Sequence, residues 1–298
     1  MAKVDVIIPA YNAAKYLPTA IESVIAQTFN DWRILIVDDG STDGTADAAA
    51  PYLERLGSRL VYIRKANGGV SSARNLGICQ ATAQYLAMLD ADDEWMPCRL
   101  SESLQILDSR PEVGLTYGFI RRIDAQGRLI DTVNRRQRRG EGRIARYIYT
   151  KEVDIPCATV TVRRSCLDEV GLFDETLKVT EDRDLWLRLA LQYEIALVPF
   201  IVANYRISNE SITAVPDRML QAQKQFIEKN YGAEGCGWLA RRIALGRVYK
   251  QRADSLSAQQ HPWKAAKCSL RALMLNPFDL GNVRAAGSLL NRWARFRP

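Results

Sequence analysis

The chain holds 298 residues, with 41 Lys and Arg against 34 Asp and Glu for a net charge of +7; 47% of residues are apolar and 25% charged. These values exclude long disorder and collagen-like repeats, and the length carries a core without disulfide or metal staples. A single histidine, His261, and six cysteines without a CxxC pair (Cys79, Cys98, Cys157, Cys166, Cys236, Cys268) argue against a zinc site or a Ser-His-Asp triad, which leaves the chemistry to carboxylates.

Val4, Val6, Ile7 and Ile8 form a run too short and too β-branched for a helix, and predict a strand buried on both faces. Leu17, Ile21, Val24 and Ile25 recur at helical spacing, with Pro18 tolerated in the first turn. Residues 34–37 predict a second buried strand ending in Asp38-Asp39-Gly40, followed by a helix from about Thr42 that Pro51 should disturb. A third strand is expected at 60–63, a third helix at 71–80, and a fourth strand at 85–89 that ends in Asp90-Ala91-Asp92-Asp93. Such alternation implies right-handed crossovers and a mainly parallel α/β sheet, whose ligands bind at the carboxyl ends of the strands. Neither GxGxxG after the first strand nor GxxxxGK[ST] occurs, which argues against a dinucleotide dehydrogenase and a P-loop NTPase.

Between about 113 and 214 the pattern shifts to longer strands, with a hairpin expected at 113–124 and 128–132. Residues 121–146 hold nine Arg against three acidic residues and read as a flexible solvated loop, with contact to an anionic ligand as a second role. The charge balance then changes: 1–214 carries 26 basic and 29 acidic residues, 215–298 carries 15 and 5. We therefore expect a domain over 1–214, with halves 1–112 and 113–214, and a basic, all-helical region over 215–298. In that region Trp263, Ala266, Leu270 and Leu273 share one predicted helix face, stopped at Asn276-Pro277. No apolar run reaches the roughly 18–20 residues of a membrane span, and the N-terminus lacks a signal-peptide layout. The cysteines then read as reduced, mostly buried thiols of a cytoplasmic protein. The basic tail is either a solvated helical cap or a peripheral dock on an anionic membrane surface, with Arg292, Trp293, Arg295, Phe296 and Arg297 at an interfacial end. It lacks the aromatic–basic interleaving of a nucleic-acid platform.

Asp90, Asp92 and Asp93 crowd one strand end, where like charges repel. A divalent cation relieves the repulsion, and oxygen-only ligands favour Mg²⁺ or Mn²⁺. The alternative is a solvated acidic turn before the helix that starts near Pro97. Glu181-Asp182 precede Leu185-Trp186-Leu187-Arg188-Leu189. They either answer a helix dipole or aim a general base into the same cleft, and composition and spacing leave both open.

Six blocks stand in order along the chain: VIIPAYNAAKYLPTAIESVIAQTF, ILIVDDGSTDGT, NGGVSSARNLGI, YLAMLDADDEW, GLFDETL with TEDRDLWLRL, and YRISNESIT. Over residues 4–213 the chain thereby resembles the family 2 glycosyltransferases, inverting enzymes of GT-A fold that use nucleotide-diphosphate sugars. The resemblance implies that Pro9 and Tyr11 line a nucleoside pocket, that Asp39 accepts a hydrogen bond from the base, usually uracil, and that Arg74 sits beside the nucleotide. It makes Asp90 and Asp92 the DxD element, with Asp92 the direct metal ligand, and Asp182 the catalytic base. Glu181 would hold or orient acceptor and base, Arg206 would clamp the diphosphate, and Trp186 would pack. Transfer from a UDP-sugar to a saccharide or lipid-linked saccharide, in cell-surface polysaccharide assembly, is the implied setting. One departure stands out. Ser208 occupies a position where many relatives carry a His in the pattern YRxHxxS, and this keeps open a catalytically weak or inactive sugar-nucleotide- or polysaccharide-binding homologue.

Overall fold

A computed structural model describes residues 2–133, 140–207 and 216–279. Ser208, the Arg residues at 135, 136, 138 and 139, and the interfacial group Arg292, Trp293, Arg295, Phe296 and Arg297 lie outside the described residues. In chain order the elements are β1 (Val4–Ala10), α1 (Leu17–Ile25), β2 (Trp32–Asp38), α2 (Thr45–Leu56), β3 (Leu60–Arg64), α3 (Val70–Gln80), β4 (Tyr85–Met88), β5 (Glu94–Trp95) and α4 (Arg99–Ser109). There follow β6 (Val113–Ile123), β7 (Leu129–Val133), α5 (Ala145–Tyr149), β8 (Thr161–Arg163), α6 (Arg164–Val170), α7 (Glu181–Gln192), β9 (Glu194–Arg206), α8 (Pro216–Lys229), α9 (Trp238–Ala258) and α10 (Pro262–Leu275). Two compact units result: residues 1–144 with 154–211, and residues 145–153 with 212–298.

The first unit is built on one sheet of order β3-β2-β1-β4-β8-β6-β9-β5, with β7 added to β6. β3, β2, β1 and β4 are all parallel, as are β6 and β9, whereas β8, β5 and β7 run antiparallel to their neighbours. β1 is buried at every residue, the expected consequence of helices on both faces. Its one carboxylate, Asp5, is paid for by a two-pronged ion pair with Arg33 (2.8 and 2.9 Å) and the backbone N–H groups of Thr82 and Ala83. α3 lies close on β1 because Gly77 has no side chain: a Cβ there would stand 2.6 Å from Ile7 Cγ2. Gly77→Ala should therefore destabilise the protein by about 1–3 kcal/mol through overpacking. Urea unfolding measures this, and a neutral result would mean that α3 does not seat as described.

Two expectations about this unit need correction. α2 runs unbroken through Pro51. Pro51 and Asp47 are both exposed, so water satisfies the carbonyl that the proline leaves without a donor. The Arg-rich stretch is also not a loop throughout, because Arg121 and Arg122 belong to β6 and bond Asn204 (2.6 Å) and Asp131 (2.7 Å).

The second unit is helical. Tyr149 on α5 donates to the Ile227 carbonyl at 2.9 Å and packs on Phe226, while Arg247 donates to the Thr150 carbonyl at 2.8 Å. These contacts draw residues 145–153 in with the C-terminal helices. α9 and α10 approach closely, since a Cβ on Gly246 would meet Asn276 Cβ at 3.0 Å. That closeness decides which face of α10 packs: small residues (Ala265, Ser269, Ala272) are buried, whereas Trp263 and Leu270, on the shared apolar face, remain 64% and 58% exposed. Of the six cysteines, all free, Cys157, Cys166 and Cys236 are buried and Cys79 is exposed, so half rather than most are hidden.

Candidate active site

At the carboxyl ends of β1 and β2 the chain turns outward. Pro9 is buried in β1, and Tyr11 just beyond it is 55% exposed. Asn12, in the left-handed region at φ 49°, takes an N–H bond to Ser41 Oγ and receives one from Thr42 N. Asp38 is buried, which would raise its pKa, but bonds from Ser41 and Tyr62 outweigh burial and hold it below the usual carboxylate value. Asp39 faces the start of α3. It accepts from Gly68 N (2.9 Å), Gly69 N (2.7 Å) and Lys65 Nζ (2.6 Å). A carboxylate offers about four acceptor sites, and these bonds use three of them. The DDG and NGG blocks thus clasp each other at a helix N-terminus.

Arg74 leaves the first turns of α3 and is almost wholly buried. Its guanidinium donates to Asp90 Oδ1 at 2.7 Å and to Glu181 Oε1 at 3.1 Å, joining the end of β4 to the start of α7. Burial alone would lower its pKa, but the nearby anionic groups, Asp90 and Glu181 among them, drive it well up. Asn75, the next residue, receives the Phe173 N–H and donates to the Phe173 carbonyl, both at 3.0 Å. The Phe173 ring lies between the Arg74 guanidinium (5.4 Å) and the buried Trp186 ring (5.9 Å, edge to face). Arg188 completes the brace, bonding Asp184 and the carbonyls of Val170 and Leu172. SSARN, GLFDE and TEDRDLW are therefore one packed assembly.

The acidic loop after β4 is held by Arg206. This guanidinium donates to the Asp92 carbonyl (2.9 Å) and the Asp124 carbonyl (3.0 Å), pairs with Glu94, and stacks on Tyr16 at 4.7 Å. Its backbone N–H bonds Asp93 Oδ1 at 2.8 Å. Asp93 is buried, its Oδ2 has no partner, and burial together with the charges of Asp90 and Asp92 pushes its pKa well up. Asp92 is pushed up to about 6 by burial and then by Asp90. Half-buried Asp182 opens α7, beside Glu181. Its pKa is pushed up to about 7 by burial and by Glu181, against the opposing charge of Arg74. Burial first, and then the charges of Asp93, Asp90, Asp92 and Asp182, drive the Tyr205 phenol upward.

A divalent cation fits this donor set. Asp90, Asp92 and the orphaned Asp93 Oδ2 gather hard oxygen donors on one short loop, and burial first, then their mutual charge, raises the carboxyl pKa values of Asp92 and Asp93. Among the described residues no three His, Cys, Asp or Glu side chains gather as a complete cage. A small hard cation that takes one or two carboxylates and completes its shell from diphosphate oxygens needs none.

Phe173, Asn75 and Arg188, which brace this cluster, and Tyr205 beside the acidic loop were not singled out by the sequence reading. Each lies inside or beside a quoted block, but a buried brace has no spacing signature of its own.

The strand order and the loop-borne carboxylates define the class: this is a GT-A fold. Residues 1–349 of TarS from S. aureus superpose with a TM-score of 0.68 at 17% identity, over 99% of this chain and 92% of that one. The mannosyltransferase PcManGT from Pyrobaculum calidifontis, solved with GDP-Man and Mn²⁺, gives 0.68 at 20% identity over 99% and 80%. In sequence, the glycosyl transferase family 2 profile matches residues 5–171, and the chain belongs to that family. An uncharacterized glycosyltransferase of Rickettsia prowazekii is 33% identical over 187 residues, covering 62% of this chain and 58% of the relative. TuaG of Bacillus subtilis, a proposed teichuronic acid biosynthesis glycosyltransferase, is 39% identical over 109 residues, 36% of this chain and 42% of its own. The chain thus spans less than two thirds of the length of these two sequence relatives.

Proposed function

We propose that the chain is an inverting glycosyltransferase that moves a sugar from a UDP-sugar to a saccharide or lipid-linked saccharide in cell-surface polysaccharide synthesis, with Mn²⁺ or Mg²⁺ as cofactor. The carrying observation is the Arg74 bridge, one buried guanidinium that binds Asp90 of the DxD loop and Glu181 beside Asp182. The ligands of the structural relatives support the donor class: TarS has been solved with UDP and with UDP-GlcNAc, and PcManGT with GDP-Man.

In this reading residues 1–112 hold the donor and 113–214 receive the acceptor. Pro9 and Tyr11 flank the nucleoside, and Asp39 accepts a bond from the base. Asp92 and Asp90 would hold the cation, which when bound neutralises charge gathering on the departing diphosphate. Asp182 removes the acceptor hydroxyl proton as that oxygen bonds to the anomeric carbon. The bond to the diphosphate breaks on the opposite face, its electron pair leaves with the nucleoside diphosphate, and the centre inverts. Glu181, held by Arg74, orients the base. Arg206, engaged by Glu94 and two loop carbonyls, positions the DxD loop. A lipid-linked acceptor brings the protein to the cytoplasmic face of an anionic membrane as a peripheral protein, which the basic surplus of 215–298 supports. Among the described residues no helix is long and apolar enough to cross a membrane.

A panel of nucleotide sugars, read by released nucleotide and by the anomeric configuration of the product, tests the reading. Release with inversion supports it, and a retained configuration overturns it.

Asp92 supplies a second test. Its folded carboxyl titrates near 6 against about 3.9 for an unfolded Asp, so the fold binds this proton more tightly than the unfolded chain does. The resulting stabilisation is full below about pH 4 and is lost as pH rises to about 6. Without metal, Asp92→Asn should be more stable than the parent by about 2 kcal/mol at pH 7, with the difference gone near pH 4. The same variant should lose Mn²⁺-dependent nucleotide binding. A stability difference independent of pH would refute the linkage.

A further inference from the structure

α10 carries Lys264, Lys267 and Arg271 and no acidic residue. At 3.6 residues per turn, Trp263, Leu270, Met274 and these three cations fall within about 120° of arc, opposite the buried Ala265, Ser269 and Ala272. Trp263 is 64% exposed and Met274 68%. The apolar surface continues past the helix. Arg242 donates to the Met274 carbonyl at 2.6 Å and stacks on the exposed Trp238, and Phe278 follows at 93% exposure. Arg271 also walls a cavity of about 290 Å³ with Lys224, Arg241 and Tyr249, whose one acid, Glu228, is paired with Arg241. Large apolar and cationic side chains interleaved on one face present an anion-seeking surface with an apolar layer.

We propose that the outward face of α10 docks on an anionic lipid bilayer, with Trp263, Leu270 and Met274 in the interface and Lys264 and Lys267 among the headgroups, while Arg271 stacks back on Tyr249 at 5.0 Å. This deepens the peripheral-membrane reading above and rests on it; the chemistry at Asp182 is independent of it. Trp belongs at headgroup depth, and lysine stems lie along apolar surface while their ammonium groups reach out. A second copy of the chain is the poorer occupant. A twofold contact through this face would set Lys264 and Lys267 against their own copies.

Co-sedimentation of the full chain with vesicles tests the proposal. The parent should bind phosphatidylglycerol-containing vesicles at low salt, ignore pure phosphatidylcholine, and release at high salt. A nearby basic residue is worth about a fivefold change in affinity, so Lys264→Glu with Lys267→Glu should weaken binding at least about tenfold. Leu270→Ser with Met274→Ser should also weaken it, and Trp263→Phe should abolish most of the blue shift in tryptophan emission on binding. These positions are exposed, so circular dichroism should match the parent. With a water-soluble acceptor the double Glu variant should keep its turnover, whereas Asp182→Asn should lose turnover and keep vesicle binding. Indifference of the parent to anionic vesicles overturns the proposal, as does undiminished binding by the double Glu variant. A parent dimer that Leu270→Ser with Met274→Ser converts to monomer does so too, by assigning the face to a second copy.

Discussion

Asp182→Asn should leave nucleotide binding intact and slow sugar transfer about 10²–10⁴-fold, the usual worth of a positioned general base. The side chain keeps its shape, so the start of α7 and its contacts survive. A helix N-terminus lowers a carboxyl pKa, yet burial and the adjoining Glu181 win here and set Asp182 near 7. A base acts when deprotonated. Transfer by the parent should therefore climb as pH rises through about 7, and the Asn variant should lose that limb. Nucleotide affinity is expected to hold because the proposed donor contacts come from β1, β2 and the DxD loop. Initial rates across pH, paired with nucleotide titration, decide the matter; undiminished turnover in the variant would remove Asp182 as the base.

Arg74→Met should cost about 3–5 kcal/mol of stability, because it strands two carboxylates that shared one buried cation. This is a large share of the roughly 5–15 kcal/mol that holds a typical domain. Arg74→Lys should recover little of the function. One ammonium cannot present the planar fork that meets Asp90 and Glu181 at once. Combining Arg74→Met with Glu181→Gln should return part of the stability while transfer stays lost, since the deleted charge is the one left unpaired. Denaturant unfolding of the single and double variants measures the coupling. If Arg74→Met unfolds within about 1 kcal/mol of the parent, the bridge is not the structural joint described.

The parallel half of the sheet was legible because its strands are buried on both faces. Such strands read as unbroken apolar runs rich in β-branched residues, as at Val6, Ile7 and Ile8 and again at Ile34, Leu35 and Ile36. The acidic strand ends were legible as well, since clustered like charge at the carboxyl edge of a sheet demands a reason. Pro51 misled because a lost backbone donor costs little where water replaces it. The packed face of α10 was not legible because helical periodicity marks where apolar residues gather and says nothing of how near the neighbouring helix comes. Gly246 and Ala272 let α9 so close that large side chains were left outside.

By itself, then, the sequence determined the order of the first four strands and their helices, the family, and which acidic strand ends to examine. The elements follow from periodicity and local composition, which act between residues near in the chain, and the family follows from six motif blocks standing in order. Tertiary structure alone decided that Arg74 reaches both Asp90 and Glu181, that Arg206 turns inward on the DxD loop, and that residues 145–153 fold with the C-terminal helices. Those pairings join residues as many as 114 positions apart, and burial raises their energies well above what the same charges exchange in water. Local pattern is blind to both distance and burial.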